Sequence, residues 1–248
     1  FSLKDNVIWD IYEDKKNILW VSTETGLHKF NSDQDRFESV RFKNFDDKIK
    51  EIKTIHQDDN NNYWFGTYEN GIFITSADFS HTFSLSEPNK WRLNIQVNGL
   101  YDFKKINTDY WLATDAGLIV INKDYELINH YTEANSELLD NHVRSIEQLN
   151  DAMVLVGTFS GLNIINKFDG TIKAVVSGPS VNSLSENWIM DIFKDRSGGL
   201  WLATNGGGLN KLSQFSFVFT QRFTNKNGIN HITLLLKPKI KCGFHLIN

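Results

Sequence analysis

The chain lacks several features that would set it apart from ordinary globular proteins. It has one cysteine, Cys242, and three prolines among 248 residues, which excludes an intrachain disulfide and a proline-rich linker. No apolar run approaches the roughly 20 residues that a membrane-spanning helix needs. Lysines and arginines total 26 against 30 aspartates and glutamates, for a net charge of −4, so nucleic acid is not expected as a partner.

The sequence also contains none of the catalytic or metal-binding motifs that we searched for. The seven histidines form no His-x-His or His-x-x-x-His pair, so we expect neither a metal nor a cofactor. Gly206-Gly207-Gly208 is not followed by a Gly-Lys-Ser/Thr phosphate-binding motif, and no Gly-x-Ser-x-Gly nucleophile elbow occurs. We therefore predict no catalytic residues and expect that this chain is not itself an enzyme.

The sequence does contain a repeat. Five stretches share a pattern of Trp, then Thr, then Gly followed by Leu or Ile, as in LWVSTETGLHKFN (19–31) and YWFGTYENGIFIT (63–75); the fourth copy has Leu155 in place of Trp. The motif threonines follow one another at intervals of 44, 47, 44 and 46 residues, and they are Thr23, Thr67, Thr114, Thr158 and Thr204. A period of about 45 residues is typical of a four-stranded propeller blade.

We therefore predict an all-β propeller with five clear blades over residues 1–225 and a partial or degenerate sixth repeat over 226–248. The predicted repeats are 1–44, 45–92, 93–137, 138–183 and 184–225. Upstream of each Trp position the same three-residue spacing of apolar residues recurs, often followed by Asp. The copies are Ile8/Ile11/Asp14, Ile52/Ile55/Asp58, Val97/Leu100/Phe103, Val143/Ile146/Leu149 and Ile189/Ile192/Asp195.

Most motif residues are expected to build the scaffold. Large side chains are predicted to fill the space between neighbouring sheets at Trp20, Trp64, Trp111 and Trp201. Glycines with positive φ are predicted in tight hairpins at Gly26, Gly71, Gly117, Gly161 and Gly208. The motif Thr hydroxyl is expected to bond the backbone of that hairpin, and the Asp carboxylate to accept N–H bonds from its own turn.

Candidate ligand-binding residues come from two positions that a propeller brings to one mouth of its channel. The residues directly after each motif Thr differ in chemistry, although the motif around them repeats. They are Glu24, Tyr68, Asp115, Phe159 and Asn205. Near the start of the innermost strands, Trp9 and Trp188 can stack on a sugar ring, while Lys53 and Arg144 can meet an anionic group such as a uronate carboxylate. Solvated turns and a plugged channel are the alternatives.

The repeats also resemble a known family. IWDIYEDKKNILWVSTETGLHKFN (8–31) and IMDIFKDRSGGLWLATNGGGLNKL (189–212) are similar to the two-component regulator propeller repeat, found in the sensor regions of Bacteroides-type hybrid histidine kinases. The resemblance implies a periplasmic, ligand-sensing propeller of a membrane-anchored parent chain. It also implies that these five blades are part of a seven-bladed propeller, and that the chain is a fragment of something longer.

The function expected from this resemblance is recognition of a small, carbohydrate-derived ligand such as an oligosaccharide, with signalling through rearrangement of a homodimer. A second hypothesis is a non-catalytic scaffold that binds another protein. A third is a glycan-cleaving propeller, which would need two carboxylates converging across a pocket or a tyrosine nucleophile with its acid partner.

Overall fold

The structure is a computed structural model that describes residues 3, 5–42, 49–85, 95–180, 182–213 and 219–224. The predicted sixth repeat, 226–248, lies outside the described residues. In the described part no helix occurs, so none is present that could cross a membrane.

Within the described ranges, twenty strands form five sheets of four. The first sheet contains β1 (Ile8–Glu13), β2 (Leu19–Thr23), β3 (Gly26–Asn31) and β4 (Arg36–Ser39). The second contains β5 (Ile52–Gln57), β6 (Tyr63–Thr67), β7 (Ile72–Thr75) and β8 (Thr82–Ser84). The third contains β9 (Leu100–Ile106), β10 (Asp109–Thr114), β11 (Gly117–Ile121) and β12 (Leu127–Tyr131). The fourth contains β13 (Val143–Gln148), β14 (Met153–Thr158), β15 (Gly161–Asn166) and β16 (Ile172–Val175). The fifth contains β17 (Ile189–Lys194), β18 (Leu200–Thr204), β19 (Gly208–Leu212) and β20 (Phe219–Phe223).

Each sheet is one blade of a propeller. Its four strands pair antiparallel with their neighbours in chain order, from the innermost strand to the outermost. The prediction of an all-β propeller with five four-stranded blades is confirmed.

The hairpin between the second and third strands of every blade begins at the motif Thr and ends at the motif Gly. The five motif glycines all have positive φ, from +79° at Gly208 to +143° at Gly161. The Thr hydroxyl donates to the carbonyl of that Gly, at 2.6 Å from Thr114 to Gly117 and at 2.9 Å from Thr158 to Gly161. The same bond is present in the other three blades, so it joins the two ends of every one of these hairpins.

The motif Asp does more than hold its own turn. In the first blade, Asp14 accepts backbone N–H bonds from Lys16 and Ile18 through one oxygen and the indole N–H of Trp20 through the other. The same bond from indole Nε1 to carboxylate recurs between Trp64 and Asp58 and between Trp201 and Asp195. The pairing explains why Asp and Trp stand six residues apart in these blades, because the carboxylate satisfies an indole N–H that packing removes from water.

Successive blades are joined by four hydrophobic clusters. The side chains at the motif Trp position lie in them, with Trp20 between blades 1 and 2, Trp64 between blades 2 and 3, and Trp111 between blades 3 and 4. Leu155 takes this place between blades 4 and 5. Trp201 of the fifth blade is only half-buried.

The third repeat begins three residues later than its sequence suggests. Leu100 pairs with the motif Thr114, as Ile8, Ile52, Val143 and Ile189 pair with theirs. The predicted third copy, Val97/Leu100/Phe103, is therefore wrong, and the equivalent residues are Leu100, Phe103 and Ile106. Apolar residues here recur every three positions, so spacing alone does not distinguish the two registers.

Candidate functional site

A β-bulge interrupts the innermost strand of all five blades at the same position. In each blade the register with the second strand shifts directly after the first residue of the innermost strand. The residues at the bulge are Trp9, Lys53, Tyr101, Arg144 and Met190. A bulge re-aims a side chain and is common at barrel rims and beside functional sites, so the fold presents five unlike side chains from equivalent positions.

The hairpins after the motif Thr approach these bulges. The backbone N–H of Glu24 donates to the carbonyl of Val7 at 3.3 Å, and that of Tyr68 donates to the carbonyl of Glu51 at 3.2 Å. In the fifth blade Asn205 N–H donates to the carbonyl of Trp188 at 2.9 Å. The two sets of candidate residues from the sequence therefore lie at the same mouth of the propeller.

We call the side chains in contact there the mouth cluster. Its members are Trp9, Lys53, Tyr68, Tyr101, Arg144, Phe159 and Trp188. On one side of the cluster, Lys53 Nζ lies over the Trp9 ring, 2.8 Å from its centroid, and 4.8 Å from the centroid of Tyr68. The ammonium group thus connects aromatic rings of the first and second blades.

Arg144 occupies the corresponding place on the other side of the cluster. Its guanidinium carbon lies 4.3 Å from the centroid of the Tyr101 ring and 5.9 Å from that of Phe159. The Phe159 ring in turn lies 4.6 Å from Trp188 and stacks almost parallel to His142 at 5.1 Å. Each of the two cations therefore lies between two aromatic rings, and the cluster includes residues of all five blades.

Three rings of the cluster remain open to solvent. The exposed fractions of Trp9, Tyr68 and Trp188 are 36%, 46% and 39%. Arg144 and Lys53 lie deeper and are half-buried. An accessible aromatic surface therefore surrounds two cations that are partly removed from water.

Burial dominates the electrostatics of both cations. It lowers the pKa of Lys53 to about 8, and repulsion from the Arg144 charge adds to that effect, while Glu51 and Glu24 oppose it. Burial also lowers the pKa of Arg144, against the opposing influence of Tyr101 and Tyr68. The two positive charges thus destabilise each other across the mouth.

Side-chain hydrogen bonds beneath the bulges hold neighbouring innermost strands together. Asp10 of the first blade accepts the backbone N–H of Ile55 at 2.8 Å, and Asp102 of the third blade accepts that of Ile146 at 2.8 Å. Between the fourth and fifth blades, the Ser145 hydroxyl accepts the N–H of Ile192 at 2.9 Å. The bulged residues therefore stand on strands that are fixed relative to one another.

The remaining candidate residues have other surroundings. Glu24 lies near enough to Lys53 to raise its pKa. Both carboxylate oxygens of Asp115 accept bonds from the loop before β9, from the N–H of Asn98 and Gly99 and the side chain of Asn98. Asn205 contacts the cluster through its backbone. The described residues contain no group of three or more histidine, cysteine or acidic side chains that could hold a metal ion.

Tyr101 is the member of the mouth cluster that the sequence did not indicate. The three-residue error in the third repeat put Asn98 at the position that Tyr101 occupies. Aligning the innermost strand with the motif Thr of the second strand, as in the other four repeats, would have identified Tyr101. The neighbouring His142 precedes the fourth bulge and belongs to the same contacts.

Comparison with known proteins confirms the resemblance of the repeats. Residues 2–25 and 183–206 match the family model of the two-component regulator propeller. No curated protein matches the chain. Among solved structures, the chain is similar to the extracellular domain of the hybrid two-component system BT3049 from B. thetaiotaomicron. The identity is 29% and the TM-score 0.75, over 91% of this chain and 29% of the other.

A second solved structure shows the same fold at lower identity. It is the extracellular domain of the hybrid two-component system BT4673 from B. thetaiotaomicron, with 15% identity and a TM-score of 0.67 over 90% of this chain. That match covers 28% of the longer chain. The present chain thus spans less than a third of either structure.

Proposed function

We propose that this chain, which carries two-component regulator propeller repeats, is the ligand-sensing part of a periplasmic two-component sensor and recognises a carbohydrate-derived ligand without catalysing a reaction. The parent chain would be membrane-anchored and would carry a histidine kinase. The similarity to extracellular domains of hybrid two-component systems supports an extracytoplasmic location.

The mouth cluster is the observation that carries the ligand-binding proposal. Sugars offer flat arrays of C–H groups that pack on aromatic rings, together with hydroxyl groups that accept hydrogen bonds from cations. The cluster supplies partly exposed rings at Trp9, Tyr68 and Trp188 and donors at Lys53 and Arg144. A site that is partly apolar and carries a few fixed polar groups is typical of small-molecule binding.

Signalling would follow from a change in the population of two dimer arrangements. A ligand shifts such an equilibrium only when it binds one arrangement more tightly than the other. Sedimentation velocity of the chain with and without a saturating saccharide measures this directly. The proposal expects the sedimentation coefficient of the dimer, or the monomer–dimer equilibrium, to change with ligand, and an identical distribution with and without bound ligand would contradict it.

Tryptophan fluorescence tests saccharide binding at the mouth. Trp9 and Trp188 are exposed, whereas the tryptophans between the blades are buried or half-buried, so a ligand at the mouth is expected to change emission in a saturable manner. Removing the ring in a Trp188→Ala variant should weaken binding of the responding saccharide about tenfold, since each stacked ring contributes on the order of 1 kcal/mol or more.

Phe168→Ala is the matched control. Phe168 is also an exposed aromatic residue, with an exposed fraction of 76%, but it lies in the turn between β15 and β16, away from the mouth. The variant should bind as the unmodified chain does. Equal weakening in both variants, or no response to any saccharide, would contradict ligand binding at the mouth.

A protein-interaction scaffold is the second candidate function, favoured by an apolar patch on the rim. The patch consists of Leu127 and Ile128 on the outermost strand β12 and of Phe168 in the next blade, all exposed. Strand β12 carries no charged residue, although charge is a usual protection of an edge strand. Under this alternative, Ile128→Lys should abolish association with a partner or second copy, whereas Trp188→Ala should leave it unchanged.

A further inference from the structure

The two cations of the mouth cluster, Lys53 and Arg144, form no ion pair with any other described residue. Within the described residues, no carboxylate oxygen lies within ion-pair distance of Lys53 or Arg144. The Nε–H of Arg144 is buried and finds no hydrogen-bond acceptor among the residues that the structure describes. A buried donor on a charged group without an acceptor is costly for a folded protein, and native structures rarely keep one without a reason.

Nearby acidic residues do not supply the missing acceptor. Glu24 and Glu51 influence Lys53 only at a distance, as does Asp191 for Arg144. By contrast, Lys104 forms an ion pair with Glu147 at 2.7 Å and Arg36 one with Glu38 at 3.3 Å. The bulged strands therefore bring together two positive charges that repel each other, and neither forms an ion pair with a carboxylate of the described residues.

The aromatic rings fix how a ligand would enter. Trp9 and Tyr68 flank Lys53, and Tyr101 and Phe159 flank Arg144. A neutral sugar would use these rings, and its hydroxyl oxygen can accept a hydrogen bond, but it would leave the mutual repulsion of the cations uncompensated. A negative group on the ligand would accept the Nε–H bond and offset the repulsion in one step, and a planar carboxylate or a sulfate also matches the donor geometry of a guanidinium.

We infer that the mouth cluster selects an anionic saccharide, whose negative group lies against Arg144 and Lys53 while its sugar rings pack on the exposed aromatic residues. This inference rests on the proposed function of the same site. The negative group is a uronate carboxylate or a sulfate ester, which share the chemistry that the cations recognise.

Matched pairs of saccharides test the charge directly by isothermal calorimetry on the chain. Trigalacturonate is compared with its methyl ester, and triglucuronate with its carboxyl-reduced form, so that each pair differs in charge and little else. A sulfated neutral disaccharide beside its unsulfated parent covers the second source. At least one charged member should bind at least tenfold more tightly than its neutral counterpart, and which pair responds distinguishes carboxylate from sulfate.

Two outcomes would overturn the inference, and they differ in what they say of the proposed function. If neutral members bind as tightly as charged ones, the saccharide function stands and the selection for charge is refuted. If no member of any pair binds, both the inference and the saccharide function fail for this chain.

Substitution of the cation assigns the effect to the cluster. Arg144→Met keeps most of the side-chain volume and should abolish the preference for the charged member while leaving affinity for the neutral member within about twofold. Arg36→Met is the matched control, because Arg36 lies on the outermost strand β4 in an ion pair with Glu38 and its loss changes the net charge equally. The control should keep the preference. An Arg144→Met variant that keeps the preference, or that loses affinity for both members equally, would refute the role of Arg144.

Discussion

Replacing Asp14 by Ala should destabilise the propeller far more than a turn substitution normally does. The Asp14 carboxylate is buried and accepts the indole N–H of Trp20 at 2.9 Å and the hydroxyl of Tyr63, from the next blade, at 2.5 Å. In the Ala variant both donors remain buried without an acceptor. Each orphaned buried donor costs about 1–3 kcal/mol.

The two donors together give an expected loss of about 3–4 kcal/mol in the free energy of unfolding. The turn amides of Lys16 and Ile18 also lose their acceptor, but they lie nearer to solvent, so water replaces much of that interaction. For a domain of this size, a loss of 1 kcal/mol lowers Tm by roughly 2–4 °C. Thermal and urea unfolding followed by circular dichroism should therefore show Tm lowered by about 10 °C.

A double-mutant cycle with Tyr63→Phe tests the origin of this loss. Without the Tyr63 hydroxyl, Asp14→Ala orphans only the indole, so the two substitutions should couple by about 1–2 kcal/mol. Asp195→Ala is the matched control, because Asp195 holds an equivalent turn and the half-buried Trp201 but makes no bond to another blade in the described residues. It should lower Tm by less than half as much. Equal losses in the two variants, or a coupling of zero, would refute the reasoning.

Three further predictions concern the scaffold. Hydrogen bonds hold the pKa of Asp14 below its ordinary value, so its contribution to stability is present above about pH 4 and is lost as pH falls through the folded-state pKa; acid unfolding of Asp14→Asn should lack this component. Gly117→Ala should lower Tm by several degrees, because its φ is +103° and a Cβ would meet a backbone carbonyl, whereas Gly26→Ala meets no atom within 4 Å and should cost less. In urea unfolding, Trp64→Ala should lower the free energy of unfolding by about 3–5 kcal/mol and Trp201→Ala by clearly less, since Trp64 is fully buried and Trp201 is not. Equal losses in the two variants would show that burial does not determine the loss of stability.

The blades could be predicted from the sequence because each copy reports the same local geometry. A Thr followed three or four residues later by Gly marks a hairpin whose dihedral angles only glycine adopts easily, and five copies reveal the period. The bond from Asp14 to the Tyr63 hydroxyl was not predictable in this way. It joins residues 49 positions apart in two blades, and periodicity within one repeat carries no signal for such a contact.

The mouth cluster could be predicted only in part. Lys53 and Arg144 could be identified because both directly follow the first apolar residue of an innermost strand, where a cationic side chain can meet an anionic ligand. Tyr101 was missed, since apolar residues three apart allow two registers in the third repeat. The β-bulges could not be predicted from the sequence either, because the five residues at the bulges have no residue type in common. Only the pairing of the strands shows the extra residue.

Ligand protection of Lys53 is the measurement that tests the central claim most directly. With a pKa of about 8, this amine is neutral in a larger fraction of molecules than an ordinary lysine at the same pH, so it should be acetylated early and its labelling can be followed by mass spectrometry. In the presence of a saturating charged trisaccharide that binds by calorimetry, labelling of Lys53 should slow at least severalfold, while labelling of Lys167, beside Phe168 away from the mouth, stays constant. Unchanged labelling of Lys53 under saturation would place the ligand elsewhere and contradict the assignment of the mouth cluster as the binding site.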